Sequence, residues 1–436
     1  MAEGSPDARL RLDEVAHTWW PLAASWLLMG LELPALSAVV ARLPDPETHL
    51  AAYGGVVFPV ALLIEAPIVM LLSASTALSK DRPSYMKLRR FMHTTSAVLT
   101  LLHALVAFTP LYEVVAVDML GAPEPIVEPG RIGLMIMMPW TWAIAYRRFH
   151  QGVLIRFGHA RAVGLGTVVR MCTYVIVLGV CYVVHTIPGI VVGSLAVALG
   201  VTAEAIYIGF RVQPVLRDQV YPVENTTAPL STHAFVSFYA PLALTSLLTL
   251  ASQPIGSAAM GRMSFPIESL AVWPALEGFL FITQSLGIAY NEVVVALLAR
   301  DRAVASLRRF ALLLCACEAV LVVLVAFTPI STLWFVALAG LTAPLAELAK
   351  VALALGVVIP PLAVAQSWYQ GLLVFSHRTR AITEAVALFL TTTSVVLVLG
   401  VLWSDQPGVY VCVAALAAGS VVQTLWLRHR ARDLSG

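Results

Sequence analysis

The chain has 436 residues, 59% of them hydrophobic and 12% charged, with a mean hydropathy of +0.85. Soluble domains carry about 25% charge, so this composition excludes one and indicates an integral membrane protein. The net charge of +2, from 27 Lys and Arg against 25 Asp and Glu, offers no basic field for a nucleic-acid partner.

In chain order, residues 1–18 form a polar N-terminal segment without the basic-then-apolar order of a cleavable signal. Apolar stretches long enough to span a bilayer follow at 19–42, 51–78, 92–120, 131–155, 163–184 and 189–210. A polar linker at 212–232 precedes six more, at 233–257, 266–298, 310–337, 346–375, 381–403 and 407–427, and a tail at 429–436. The runs are too long for barrel strands of roughly ten residues and do not alternate. The expected fold class is therefore all-α and integral to the membrane, with twelve transmembrane helices in two bundles, 19–211 and 233–428.

Basic residues in short loops stay on the cytoplasmic side. Numbering the loops alternately, 22 of the 27 Lys and Arg fall on the side of the N-terminus or, as Arg147 and Arg148, just before it. The expectation is a cell-membrane protein with both termini cytoplasmic.

The halves repeat. Leu105–Leu111 (LVAFTPL) recurs as Leu324–Ile330 (LVAFTPI), an offset of 219 residues, and Arg89-Arg90-Phe91 and Gln151-Gly152 recur at the same offset. With one residue of drift, Lys80-Asp81-Arg82 aligns with Arg300-Asp301-Arg302. Units with an even number of spans insert the same way round, giving parallel repeats about an axis along the membrane normal. Two such bundles suit alternating access to a site near the midplane, which is a secondary-transporter architecture. No repeated pore motif points to a channel.

The segments LAAYGGVVFP (50–59), EAPIVMLLSASTALSKDR (65–82), AIAYRRFHQGVLIRFGHARAVGLG (143–166) and SQPIGSAAMGR (252–262) resemble the progressive ankylosis protein family. That family belongs to the multidrug and toxic compound extrusion (MATE)/flippase superfamily. The resemblance covers most of the chain and implies a MATE-like fold, rocker-switch alternating access, and export of small anions of the pyrophosphate, nucleotide or citrate type. The wider superfamily implies two alternatives: a proton- or sodium-coupled organic cation antiporter, or a flippase of lipid-linked substrates. The long charged C-terminal tail of animal members is missing here.

Charge in the bilayer interior costs about 2.5 to 3.5 kcal/mol on insertion scales, so each such residue is a site candidate. Glu32 and Glu65 stand mid-span beside prolines that open the helix, and both are expected to face the cavity of the first bundle, either coupling protons or hydrogen-bonding helices together. In the second half, Gln253 lies beside Pro254. Glu277, Gln284 and Asn291 recur every seven residues as one polar stripe, with Glu292 adjacent, reading as a substrate path or interhelical glue. Arg170 either binds an anion, snorkels to the surface or pairs with Glu204. Arg147 and Arg148 meet Gln366 and Ser367 in the repeat, and an unrepeated pair points to asymmetric function as anion contacts.

Other polar residues have plainer readings. Glu318 and Glu384 read as ion-pair partners, Glu128 with Arg131 and Glu347 with Lys350 as helix-start anchors, and His93, His103 and His185 as packing. All five cysteines read as core, and Asn225 opens an inert glycosylation sequon in the linker. No HExxH, P-loop, paired prenyltransferase aspartates or serine elbow occurs, so an enzyme is not expected. The polar stripe also argues against a purely structural subunit. The expected partners are a small-molecule substrate and the lipid bilayer, with no metal or cofactor, possible coupling to H+ or Na+, and a monomeric state.

Overall fold

The computed structural model describes residues 10–223, 230–300 and 303–434. Asn225 of the sequon and Asp301 and Arg302 of the repeat lie outside them. Without water, every backbone N–H and C=O must be satisfied within its own segment, and the chain answers with helices. Among the described residues these are α1 (Leu12–Val40), α2 (Pro46–Leu78), α3 (Arg82–Phe108), α4 (Glu124–Arg156), α5 (Ala160–Val184), α6 (Gly189–Val220), α7 (Thr232–Met260), α8 (Pro266–Leu297), α9 (Ala303–Phe327), α10 (Ala343–Phe375), α11 (Arg380–Trp403) and α12 (Gly408–Arg430). Eleven are long and apolar enough to cross a membrane. The remaining one, α4, has 33 residues, ample length, but carries Glu128, Arg131, Arg147 and Arg148.

Boundaries depart from expectation where turn chemistry intervenes. Helix α3 stops at Phe108, before Thr109-Pro110, rather than running to 120. Helix α6 continues through a π-helical turn to Val220, into the stretch expected to be linker. Four spans are broken at or near prolines, whose missing N–H leaves a carbonyl without its helical donor. Helix α1 turns at Leu31 before Pro34, and α2 passes through a 3-10 turn at Ala66–Ile68 containing Pro67. Helix α7 turns at Ala251 before Pro254, and α10 at 356–358 before Pro360-Pro361.

The internal repeat extends to backbone detail. The π-helical turns Val114–Met119 and Leu333–Leu338 stand at the 219-residue offset. So do the left-handed residues Gly121 (φ 65°) and Gly340 (φ 75°), and Gly158 (φ 79°) and His377 (φ 59°).

The compact units do not divide at the linker. One consists of Val39–Ala271 and the other of Met1–Ala38 with Val272–Gly436, so the two halves exchange their first helices. In the unit completed by α1, Trp19 donates its indole N–H to the Leu286 carbonyl (2.9 Å) and meets Phe310 edge-on. A methyl on Gly278 would fall against the Pro34 ring at 2.6 Å, so α1 and α8 are in direct contact there. In the other unit Phe91 of α3 stacks edge-on with Phe235 and Tyr239 of α7, and Tyr239 donates to the Pro67 carbonyl exposed by the break in α2. Helix α4 lies along α2, α3 and α6, and Arg156 at its end donates to the Thr76 and Ala77 carbonyls at the end of α2 (2.8 and 3.1 Å).

Two glycines test this packing. A Cβ at Gly152 would meet the Leu72 carbonyl oxygen, Ser75 Cβ and the Thr76 nitrogen, whereas one at Gly164 meets nothing within 4 Å. Gly152→Ala is expected to lower the thermal unfolding midpoint in detergent, at a cost of about 1 to 3 kcal/mol. Gly164→Ala should raise it slightly, by about 1 kcal/mol, through helix propensity. Equal midpoints for the two variants would refute the close approach of α2 and α4.

Candidate functional site

Within the Val39–Ala271 unit, several buried polar and charged side chains gather around one carboxylate. Arg147 and Gln151 are one turn apart on the same face of α4, and both reach Glu204 in the middle of α6. Arg147 Nη1 lies 2.6 Å from Glu204 Oε2, and Gln151 Nε2 donates to Oε1 at 2.9 Å. From α5, Arg170 Nε approaches the same Oε2 at 3.4 Å. Glycines permit this convergence: a methyl on Gly166 would touch the Glu204 side chain, and one on Gly200 would touch Arg170. Glu204 is fully buried, and Arg147, Gln151 and Arg170 are each less than 8% exposed.

Glu65, at the break in α2, completes the group. It interacts electrostatically with Arg148 and Arg147, and its Oε2 is buried without a hydrogen bond. Arg148, half-buried, senses Arg147, Glu65, Arg170 and Glu204, and its Nε is likewise buried without a hydrogen bond. Three guanidiniums thus face two carboxylates, and with both acids ionised the cluster keeps one net positive charge. In low dielectric an excess charge of this kind favours an anion, and guanidinium presents the planar fork that carboxylate and phosphate accept bidentately.

Among the described residues, the second half has no such buried cluster at the equivalent positions. At the 219-residue offset, Glu65, Arg147, Arg148, Gln151, Arg170 and Glu204 become Gln284, Gln366, Ser367, Gln370, Phe389 and Gln423, all uncharged. There Gln366 donates to the Ser420 carbonyl and the Thr424 hydroxyl, both at 3.1 Å, a neutral substitute for the ion pair.

The expected site residues separate. Glu65, Arg147, Arg170 and Gln253 belong to one compact unit, and the first three take part in the cluster. Glu32 belongs to the other unit, together with Glu277, Gln284, Asn291 and Glu292. Glu32 and Glu65, expected together in the first bundle, therefore fall in different compact units, because the turn at Leu31 and the close contact of Pro34 with Gly278 place α1 against α8. Along the α8 stripe Glu277, Gln284 and Asn291 are half-buried; Glu292 is exposed and accepts the Trp26 indole N–H. Asn291 reaches toward the Ser367 carbonyl at 3.4 Å, so this part of the stripe ties α8 to α10.

Other readings divide similarly. His103 is buried and satisfied by the Thr141 hydroxyl and Leu134 carbonyl, as expected of packing. Arg131 anchors α4 by donating to the Ala107 and Thr109 carbonyls, and Lys350 pairs with Glu347 at 2.6 Å. Glu384 pairs with Arg380 and Arg430. Glu318, expected to form an ion pair, is buried and makes none with a described residue, because its helix face points into α9's packing rather than toward the basic loop. Cys172 and Cys317 are exposed, against the expectation of core positions, since they lie on the outward faces of α5 and α9. Pairing with Glu204 is the reading of Arg170 that the structure bears out; Glu204 is a sequence candidate only as that partner, and Gln151 is not among the site candidates. Glu204 is an acid in the middle of an apolar span, so the rule that singled out Glu32 and Glu65 applies to it equally.

A nearly all-apolar cleft of about 570 Å³ between α4 and α6, bounded by Trp142, Tyr146, Ile206 and Phe210, holds none of the clustered charges.

No protein-family model and no curated protein matches the sequence. Solved structures do. An inward-facing multidrug resistance MATE family transporter of the MOP superfamily aligns with a TM-score of 0.70 at 15% identity, over 93% of this chain and 95% of that one. The chain has the fold of MOP superfamily transporters. The lipid II flippase MurJ in an inward closed conformation aligns with a TM-score of 0.72 at 14% identity, over 94% of this chain and 87% of that one. A MOP superfamily transporter from Pyrococcus furiosus, described as having a binding pocket of reverse polarity, aligns with a TM-score of 0.61 at 16% identity, over 96% of each chain.

Breaking a buried pair from one side costs about 3 to 5 kcal/mol, since the remaining charge is stranded. Glu204→Gln is therefore expected to lower the unfolding midpoint in detergent sharply. Glu204→Gln combined with Arg147→Gln, which installs the residues found at the equivalent second-half positions, should recover most of that loss. A double variant no better than the single one would show that the pair is not coupled.

Proposed function

We propose that the chain is a secondary active transporter working by rocker-switch alternating access, with a small organic or phosphate-containing anion as substrate. The MOP fold supports transport. The observation that carries the choice of anion is the buried excess of arginine over carboxylate around Glu204, which the second half replaces with neutral side chains. Arg148, whose Nε is buried without a hydrogen bond and which is not one of the two arginines ion-paired to Glu204, is the group we assign to the substrate. Arg147 and Arg170 are held by Glu204 and set the local potential. The resemblance to progressive ankylosis proteins agrees with this reading and narrows the anion to the pyrophosphate, nucleotide or citrate type. Glu65 competes with the substrate for Arg148, so the anion must displace or neutralise it. We further propose a cell-membrane protein with both termini cytoplasmic, from the asymmetry of basic loops, and a monomer, since two six-helix bundles suffice to enclose a cavity.

The test is binding by the purified chain of citrate and diphosphate against an organic cationic dye, followed by counterflow in vesicles. Anion binding is expected in wild type, about tenfold or more weaker in Arg148→Ala, consistent with loss of a charge-assisted bond of about 1.5 to 3 kcal/mol. Glu65→Gln should bind the anion at least as tightly as wild type. Binding of the dye alone, abolished by Glu65→Gln, would replace this reading with the cation antiporter. Flipping of a lipid-linked saccharide with no uptake of either probe would favour the flippase.

A further inference from the structure

A second cluster of arginines lies far along the chain from the first, where α10 and α12 end and α11 begins on the basic-loop side. There Arg378, Arg380, His429, Arg430 and Asp433 surround a polar pocket of about 490 Å³, floored by Leu373 and Ala381. The left-handed residue His377 ends α10 and turns the chain so that Arg378 faces the C-terminal segment, where its Nη1 lies 2.7 Å from Asp433. Arg378 thereby holds the Asp433 carboxyl below the usual carboxylate range, and the acid stays ionised. Glu384 is shared between Arg380 (3.2 Å) and Arg430 (3.5 Å), and Arg430 also lies over the Trp426 ring. Three arginines against two carboxylates leave one positive charge here, and Arg428 and Arg432 flank it on the same segment. The arginine side chains remain 43% to 90% exposed, so solvent or a ligand reaches them.

The pocket continues directly into an apolar surface. Val421, Leu425 and His429 follow one another at intervals of four residues along one face of α12. Val421 and Leu425 are exposed apolar side chains, at 39% and 58%, and His429 lines the pocket. Phe375, at the end of α10, is exposed as well. An apolar ridge ending in a cationic pocket beside a tryptophan matches a molecule with a hydrocarbon tail and an anionic head, at the depth where tryptophan marks the membrane surface. A free phosphate would use the arginines and leave the ridge without a role. The equivalent first-half positions keep Arg161 and Arg211 for Arg380 and Arg430 but place His159 for Arg378, Leu165 and Pro214 where Glu384 and Asp433 stand, and Phe210 for His429, so Arg378 and the two carboxylates that order the arginines are specific to the second half.

We propose that the pocket between Arg378, Arg380 and Arg430 binds the phosphate of an anionic phospholipid, whose acyl chain lies along the Val421 and Leu425 ridge. The site is independent of the transport reading and needs no transport to be tested.

The experiment is native mass spectrometry of the full chain in detergent with added phosphatidylglycerol or phosphatidylcholine. Phosphatidylglycerol should be retained preferentially. Arg378→Ala with Arg430→Ala should reduce that retention about tenfold or more, as removal of two surface cations predicts. Asp433→Asn removes the competing carboxylate and should increase it. If the double arginine variant unfolds, the Asp433→Asn result decides by itself. Equal retention of the two lipids, or no increase in Asp433→Asn, overturns the proposal. Complete displacement of phosphatidylglycerol by millimolar inorganic phosphate also overturns it, by showing a site for soluble anions.

Discussion

A buried charge must be paired, and this constraint organises the Val39–Ala271 unit. Glu204 has no exposure to solvent and sits within an apolar helix, so it persists only because Arg147, Gln151 and Arg170 converge on it. That convergence sets how α4, α5 and α6 approach each other. The small residues Gly166 and Gly200 follow from it, because the helix backbones must come close for the short reach of a glutamate to suffice. Arg148 and Glu65 then extend the cluster to α2, at the break around Pro67. Two acidic residues thus tie four helices into a single polar arrangement inside an apolar bundle.

The comparison between halves separates scaffold from chemistry. Backbone features recur at a constant offset: π-helical turns, left-handed residues and the Arg131 and Lys350 helix starts. These features solve the problem, common to both halves, of ending one membrane helix and starting another. The charged cluster does not recur, and neutral glutamines and a serine occupy most of its equivalents. Geometry is therefore shared while electrostatics are not. Duplication supplies a scaffold twice, and the cost of burying charge means that only a charge with its own partners survives.

Much of this architecture is legible in the sequence. Spans of roughly 20 apolar residues can only be helices, so their number and approximate position follow from bilayer thickness and backbone hydrogen bonding. The repeat, read from matching residues at one offset, reappears in the backbone. The prolines at 34, 67 and 254 mark breaks that can be read along the chain, since a missing N–H has the same effect wherever the helix lies. Helix ends are less legible: Thr109-Pro110 stops α3 while Pro214 does not stop α6, which passes it and finishes in a π-helical turn.

What the sequence by itself determined is the class of molecule, the repeat and the short set of costly intramembrane charges. Only the tertiary structure decided how those charges group. Glu32 and Glu65 look alike in sequence, each an acid near a proline, yet α1 packs with the second half and α2 with the first. Glu204 is legible as one of three options for Arg170, but its place at the centre of the cluster emerges only when Arg147 and Gln151 are seen on it as well. The reason is physical. Hydropathy and helix breaking act over neighbouring residues and can be read along the chain, but charge pairing acts through space, between side chains that are dozens of residues apart.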